Sequence, residues 1–170
     1  MAKKQSIEEL VKIEMKDCRF HADCMALKVK QLRNYNMIIN SILAISSSAS
    51  IASWAIWNNL AMLWGCIIAV SQVITALKPL FPFGKHVHTL NTRCYKQEAL
   101  FLELANLWYE LKDGSIEKET AKTILNHLKQ RISENEFFDD EDGFEFSKEL
   151  QKEAAEMTAD TLQTKYNITD

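Results

Sequence analysis

Between residues 6 and 33, apolar side chains recur at alternating spacings of four and three: Val11, Met15, Cys18, Ala22, Met25, Val29 and Leu32. This is a heptad seam, and it predicts an amphipathic helix that gives one face to a neighbouring helix. The same count continues through Asn36, Ile39, Leu43, Ser46, Ser50, Ser53 and Trp57, so one helix of about 50 residues can carry a single contact face. Polarity changes abruptly within it. From Asn34 to Leu77, 44 residues pass without a charged side chain. A membrane span needs about 20 apolar residues, so this stretch has room for two, broken at Trp57-Asn58-Asn59. The pattern predicts a two-span transmembrane helical hairpin, with spans at 37–57 and 60–78, about 31 and 28 Å long at a rise of about 1.5 Å per residue.

The second span has a seam of its own, Met62, Gly65, Ala69, Gln72 and Ala76. Folded back across the Asn58-Asn59 turn, the two seams form layers whose residue numbers sum to 115. Ser53 meets Met62, Ser50 meets Gly65, Ser46 meets Ala69 and Leu43 meets Gln72. In lipid, helices associate by close backbone approach and hydrogen bonding, which small and hydroxylated side chains allow. Ser46, Ser50, Ser53, Gly65, Ala69 and Gln72 are therefore the expected hairpin-packing residues.

Beyond the second span, Lys78-Pro79-Leu80-Phe81-Pro82-Phe83-Gly84 cannot continue a regular helix. Helical periodicity resumes at about His86 with Leu90, Cys94, Gln97, Phe101, Leu104, Trp108 and Leu111. Keeping the sum at 115 pairs this helix with the first one, Met25 with Leu90, Cys18 with Gln97 and Val11 with Leu104. Asp113-Gly114 should close it, and Ser115 should cap a further helix over about 116–134 that buries Ala121, Ile124, Leu125, Leu128 and Ile132. An acidic, aromatic turn over 136–146 follows. Ser147 then opens a last helix to about Tyr166, whose thin stripe of Leu150, Ala154, Met157 and Leu162 suggests an element that is peripheral or ordered only by a partner.

The expected fold class is thus an all-α membrane protein, a two-span transmembrane hairpin with a cytoplasmic coiled-coil or helical-bundle domain. Its parts are residues 1–33, 34–78, 79–135 and 136–170. Charge sets the orientation. Lys28, Lys30 and Arg33 precede the uncharged stretch, Lys78, Lys85, Arg93 and Lys96 follow it, and the short connection has none, which predicts cytoplasmic termini and a multi-pass plasma-membrane protein. Residues 113–170 carry a net charge of -8 and should stand away from an anionic lipid surface. Cys18, Cys24, Cys66 and Cys94 form no CxxC pattern and read as small apolar residues. The N-terminus lacks the pattern of a signal peptide.

Catalytic chemistry finds little support. No nucleophile elbow, phosphate-binding glycine loop or metalloprotease helix is present, and the chain has four glycines. We expect no enzyme activity, no cofactor and no metal. A calcium loop around Gly143 fails because Phe138 occupies its first ligand position. His86 and His88 lie two apart on a helix and point away from each other. The N-terminal basic residues are interleaved with acids and lack stacking aromatics, so no direct nucleic-acid site is evident. Polar groups inside the uncharged stretch are the unusual feature, namely Asn36, Asn40 and Ser47 on the first helix and Ser71 and Thr75 on the second. They either bond between helices or, in a homo-oligomer, line a narrow aqueous path as pore-lining residues.

The layout of a cytoplasmic helix entering a two-span hairpin, the Lys78-Pro79-Leu80 exit and the Leu- and aromatic-rich helix over Leu100–Leu111 resembles the SLATT family across about residues 6–135. The resemblance implies a bacterial antiphage effector that permeabilises the inner membrane. It also implies control by a nucleotide second messenger or by a neighbouring sensor or nucleotidyltransferase protein. The family offers no fixed functional residues. The expected function is an oligomeric effector forming a gated ion-conducting pore or leak in the lipid bilayer. The alternative is a non-conducting, membrane-anchored scaffold that recruits a partner through its coiled coil.

Overall fold

The computed structural model describes residues 6–52, 61–77, 83–136 and 145–168. All of its regular structure is helical: α1 (Ile7–Ala52), α2 (Ala61–Leu77), α3 (Phe83–Lys112), α4 (Lys118–Glu136) and α5 (Lys148–Tyr166). The chain divides into two compact units, one of residues up to Val29 together with Thr89 onward, the other of Lys30–His88. Both α1 and α3 contribute to each.

The first unit is a helical bundle. The α1 seam residues Val11, Met15 and Cys18 are buried with Leu100, Phe101, Leu104, Leu107, Trp108 and Leu111 of α3, Ala121, Leu125, Leu128 and Ile132 of α4, and Leu162 of α5. Contacts along each pair fix the directions. Cys18 meets Gln97 and Cys94 meets Ala22, so α3 runs antiparallel to α1. Arg93 meets Asn135 and Glu103 meets Arg131, so α4 runs antiparallel to α3. Asp23 meets Thr158 and Lys28 meets the Glu145 carbonyl, so α5 runs antiparallel to α1. The register expected from the sequence, Cys18 beside Gln97, is the one observed.

Helix ends are set by local chemistry. Ser6 and Glu9 form a reciprocal capping box, each backbone N–H donating to the other's side chain at 3.1 Å. Gly114 closes α3 at φ +70°, a conformation that costs glycine least. Ser115 was expected to open the next helix. It instead donates both its N–H and its hydroxyl to the Glu110 carbonyl, and α4 begins at Lys118. Ser147 caps α5 by accepting from the Leu150 N–H. At the other end Asn167 is left-handed, Ile168 N–H reaches back to the Leu162 carbonyl, and the Ile168 side chain packs on the core. Far from being peripheral, α5 buries Leu150, Ala154, Thr158 and Leu162. Met157, expected on that stripe, is 40% exposed, and Thr158 takes its place.

In the second unit the structure corrects the two-span transmembrane hairpin. Among the described residues, no helix is long and apolar enough to cross a membrane. The helix α2 has 17 residues, about 26 Å, short of the roughly 20 residues that a span requires. The uncharged part of α1 is described as helix only to Ala52, five residues before the expected end of its span. Within that part Asn34, Asn36, Asn40 and the serines at 41, 46, 47, 48 and 50 dilute the apolar character. The fold class is therefore all-helical, without an observed spanning hairpin.

Candidate functional site

The interior of the bundle contains a polar layer. Asp23, buried, accepts from the Thr158 hydroxyl at 2.9 Å and from Arg19, whose Nε and guanidinium NH2 lie 3.1 and 2.8 Å from the two carboxylate oxygens. Arg19 also faces Glu98 at 3.7 Å and lies over the Phe101 ring, 5.6 Å from its centroid. One helical turn away, fully buried Gln97 accepts from Asn135 Nδ2 at 2.7 Å. The same amide donates to the Arg93 carbonyl, while the Arg93 guanidinium donates to the Asn135 carbonyl. A buried charge is tolerated when it is paired and hydrogen-bonded, and Asp23 meets both conditions.

Two thiols bind α1 to α3. Cys18 donates to the Gln97 carbonyl at 3.4 Å and Cys94 to the Ala22 carbonyl at 3.5 Å, a reciprocal pair that requires close helix approach. Burial, and secondarily the Asp23 carboxylate, pushes the Cys24 thiol up to about 11. Burial likewise raises Cys94, helped by Glu98 and Asp23 and opposed by Arg19. A thiol held protonated is a poor nucleophile and a poor metal ligand. Among the described residues no cluster of metal-ligating side chains occurs. This layer ties α1 to α3 and α5, and α3 to α4.

Sequence periodicity placed Gln97 on the α3 seam but missed Asp23, Thr158 and Asn135. The available signals were the i, i+4 series Ala154, Thr158, Leu162 and an aspartate flanked by the buried positions Ala22 and Cys24.

The expected pore-lining and packing residues belong to the second unit. Asn36 is half-buried and Asn40 is exposed. Ser46, Ser47 and Ser50 lie on helical backbone whose side chains are not described, and Ser53 lies outside the described residues, as do Lys78 and residues 137–144 of the acidic turn. Gly65, Ala69 and Gln72 are exposed, and a Cβ added at Gly65 meets nothing within 4 Å. Among the described side chains of α2, Ser71 alone is buried, and its carbonyl accepts from the Thr75 hydroxyl at 2.8 Å. That bond lies within one helix, the usual way a helical threonine satisfies its hydroxyl.

What the second unit does present is apolar surface. On α1 it exposes Tyr35, Met37, Ile38 and Ile42, and on α2 Ile68, Val70 and Val73, with Met37 at 63% and Val73 at 57%. Exposed lysine and arginine, Lys30 and Arg33, stand immediately before the first of these. No family model, no curated protein and no solved structure matches the chain, so the likeness to the SLATT layout rests on the arrangement of the sequence alone.

Proposed function

We propose that the protein is a non-enzymatic, membrane-associated scaffold: its uncharged arm seats in a bilayer and its helical bundle presents outer faces to a protein partner. The observation that carries this reading is the set of exposed large apolar side chains, Tyr35, Met37, Ile38, Ile42, Ile68, Val70 and Val73, within a stretch that has no charge from Asn34 to Leu77. Large apolar side chains exposed in this number within one uncharged stretch point to a site of lipid or protein contact. Lipid is favoured because basic residues and a tyrosine border the stretch, the composition of a bilayer interface. A conducting path would require spans, and the scaffold reading does not. The coiled-coil seam expected to recruit a partner is consumed inside the bundle, so recruitment falls to the outer faces.

Fractionation of expressing cells tests this. Apolar seating predicts that the chain stays with membranes through high salt and alkaline carbonate and leaves only in detergent. Recovery in the salt or carbonate wash would overturn it. The scaffold also predicts an unchanged membrane potential on expression, read with a voltage-sensitive dye. Depolarisation by the wild type that Asn40→Leu removes would replace the scaffold with a conducting assembly.

A further inference from the structure

The antiparallel pair of α1 and α5 leaves a groove toward the C-terminus of α5. At the opposite end the two helices close together: Asp23 bonds Thr158, and Phe20, Leu27 and Phe146 pack around Cys24, Leu150 and Ala154. Past Thr158, Ala159 offers only a methyl group, and it borders a cavity of about 530 Å³. Ile13, Ala159, Leu162 and Ile168 form its apolar walls. Ile13 stays 43% exposed there, although Val11 and Met15 on either side of it are fully buried.

The polar groups of the groove are basic or neutral. Lys12 and Lys16 stand one turn apart on the same face of α1 and line it with Gln163, and no carboxylate does. Lys16 already interacts within the chain, whereas the Lys12 ammonium has no partner among the described residues. Like charges one turn apart repel, so an anion beside them gains from relief of that repulsion as well as from direct attraction. Small-molecule sites have this character: about 300–1,000 Å³, mostly apolar walls and a few placed polar groups. A partner helix of three turns, about 16 Å long and 10 Å across, fills roughly 1,200 Å³, over twice the cavity, whereas an extended alkyl chain fits within it.

We propose that this groove binds a single-chain anionic amphiphile, a long-chain carboxylate, whose tail lies along Ile13, Ala159, Leu162 and Ile168 and whose head meets Lys12. Removal of the tail and of Ile13 from water supplies affinity, and charge selects the head group. The inference goes beyond the membrane reading and does not depend on it, because every residue of the groove belongs to the helical bundle.

Photoaffinity labelling of the full chain tests the proposal. The probe is dodecanoate carrying a diazirine near its methyl end, used below its micelle concentration, and labelled positions are read by peptide mass spectrometry. Label is expected on residues 12–16 and 159–168. Excess dodecanoate should displace it, and dodecyltrimethylammonium, with the same tail and the opposite charge, should not. Lys12→Glu should cut this label about fivefold, the scale of one exposed charge contact, and Lys12→Arg should keep it. Ala159→Phe, which fills the groove without a change of charge, should abolish it. Both positions are exposed, so the circular dichroism spectrum should be unchanged in these variants. Absence of label from both segments would overturn the proposal, whatever label the uncharged arm takes up. Equal displacement by the two competitors would overturn it too, as would undiminished label in Lys12→Glu or Ala159→Phe.

Discussion

The sulfur of Cys18 lies 3.4 Å from the carbonyl oxygen of Gln97, on two helices separated by 79 positions in sequence. With the reciprocal bond from Cys94 to the Ala22 carbonyl, it locks the α1–α3 register through side chains small enough to let two backbones approach. Enlarging Cys18, which is fully buried, must force the helices apart or push side chains out of their preferred rotamers. Cys18→Leu is expected to lower stability by about 1–3 kcal/mol, whereas Cys18→Ala should cost less. Urea unfolding followed by circular dichroism checks this. A Leu variant as stable as wild type would show that the helices are not in close contact here.

Asp23 and Thr158 couple α1 to α5. Removing one partner of a buried, bonded charge pair costs about 3–5 kcal/mol, because the other partner is left desolvated. Arg19 keeps some solvent access, so Asp23→Ala should fall at or below the lower end of that range. Thr158→Val retains shape and deletes one bond to a charged acceptor, a loss of about 1–3 kcal/mol. The double variant should cost clearly less than the two single losses together, as expected for residues in contact. Strict additivity in a double-mutant cycle would remove the Asp23–Thr158 bond from the account.

Alkaline pH should weaken the bundle through Cys24. In the unfolded chain this thiol ionises near 9, and in the folded chain near 11. Below about 9 both states hold the proton and the contribution of the thiol is complete. Between about 9 and 11 only the unfolded chain releases it, so stability falls as pH rises, by up to roughly 2–3 kcal/mol. Cys94, raised in the same direction, adds to the trend. The difference in urea midpoint between wild type and Cys24→Ala should therefore shrink from pH 8 to pH 11. A difference independent of pH would contradict a raised Cys24.

The apolar heptad of α1 and its partner on α3 were legible because a long, regular repeat dominates every local choice. Their register came from folding the chain back at Asn58-Asn59 and keeping paired residue numbers at a sum of 115, which places Cys18 beside Gln97 as observed. Helix α5 was harder. Its stripe looks thin when Met157 is counted and Thr158 is not, since a threonine earns a buried position only through a distant acceptor, here Asp23. Ser115 misled for a related reason, because its hydroxyl satisfies the end of the preceding helix rather than the start of the next.

The spans were misjudged by counting uncharged residues rather than continuous apolar helix. The four serines among residues 46–50 and the 17-residue length of α2 are what that count overlooks.

The seating of the uncharged arm in lipid is tested most directly by flotation. Purified full chain is mixed with phospholipid vesicles and centrifuged through a density gradient, beside a variant in which Ile38, Ile42, Val70 and Val73 are replaced by Asp. These four side chains are exposed, so the substitutions remove apolar surface without opening the bundle core. The account predicts that the wild type rises with the vesicles, in high salt as in low, and that the variant stays at the bottom with its helical content intact. Wild type remaining at the bottom, or both proteins floating equally, would contradict it.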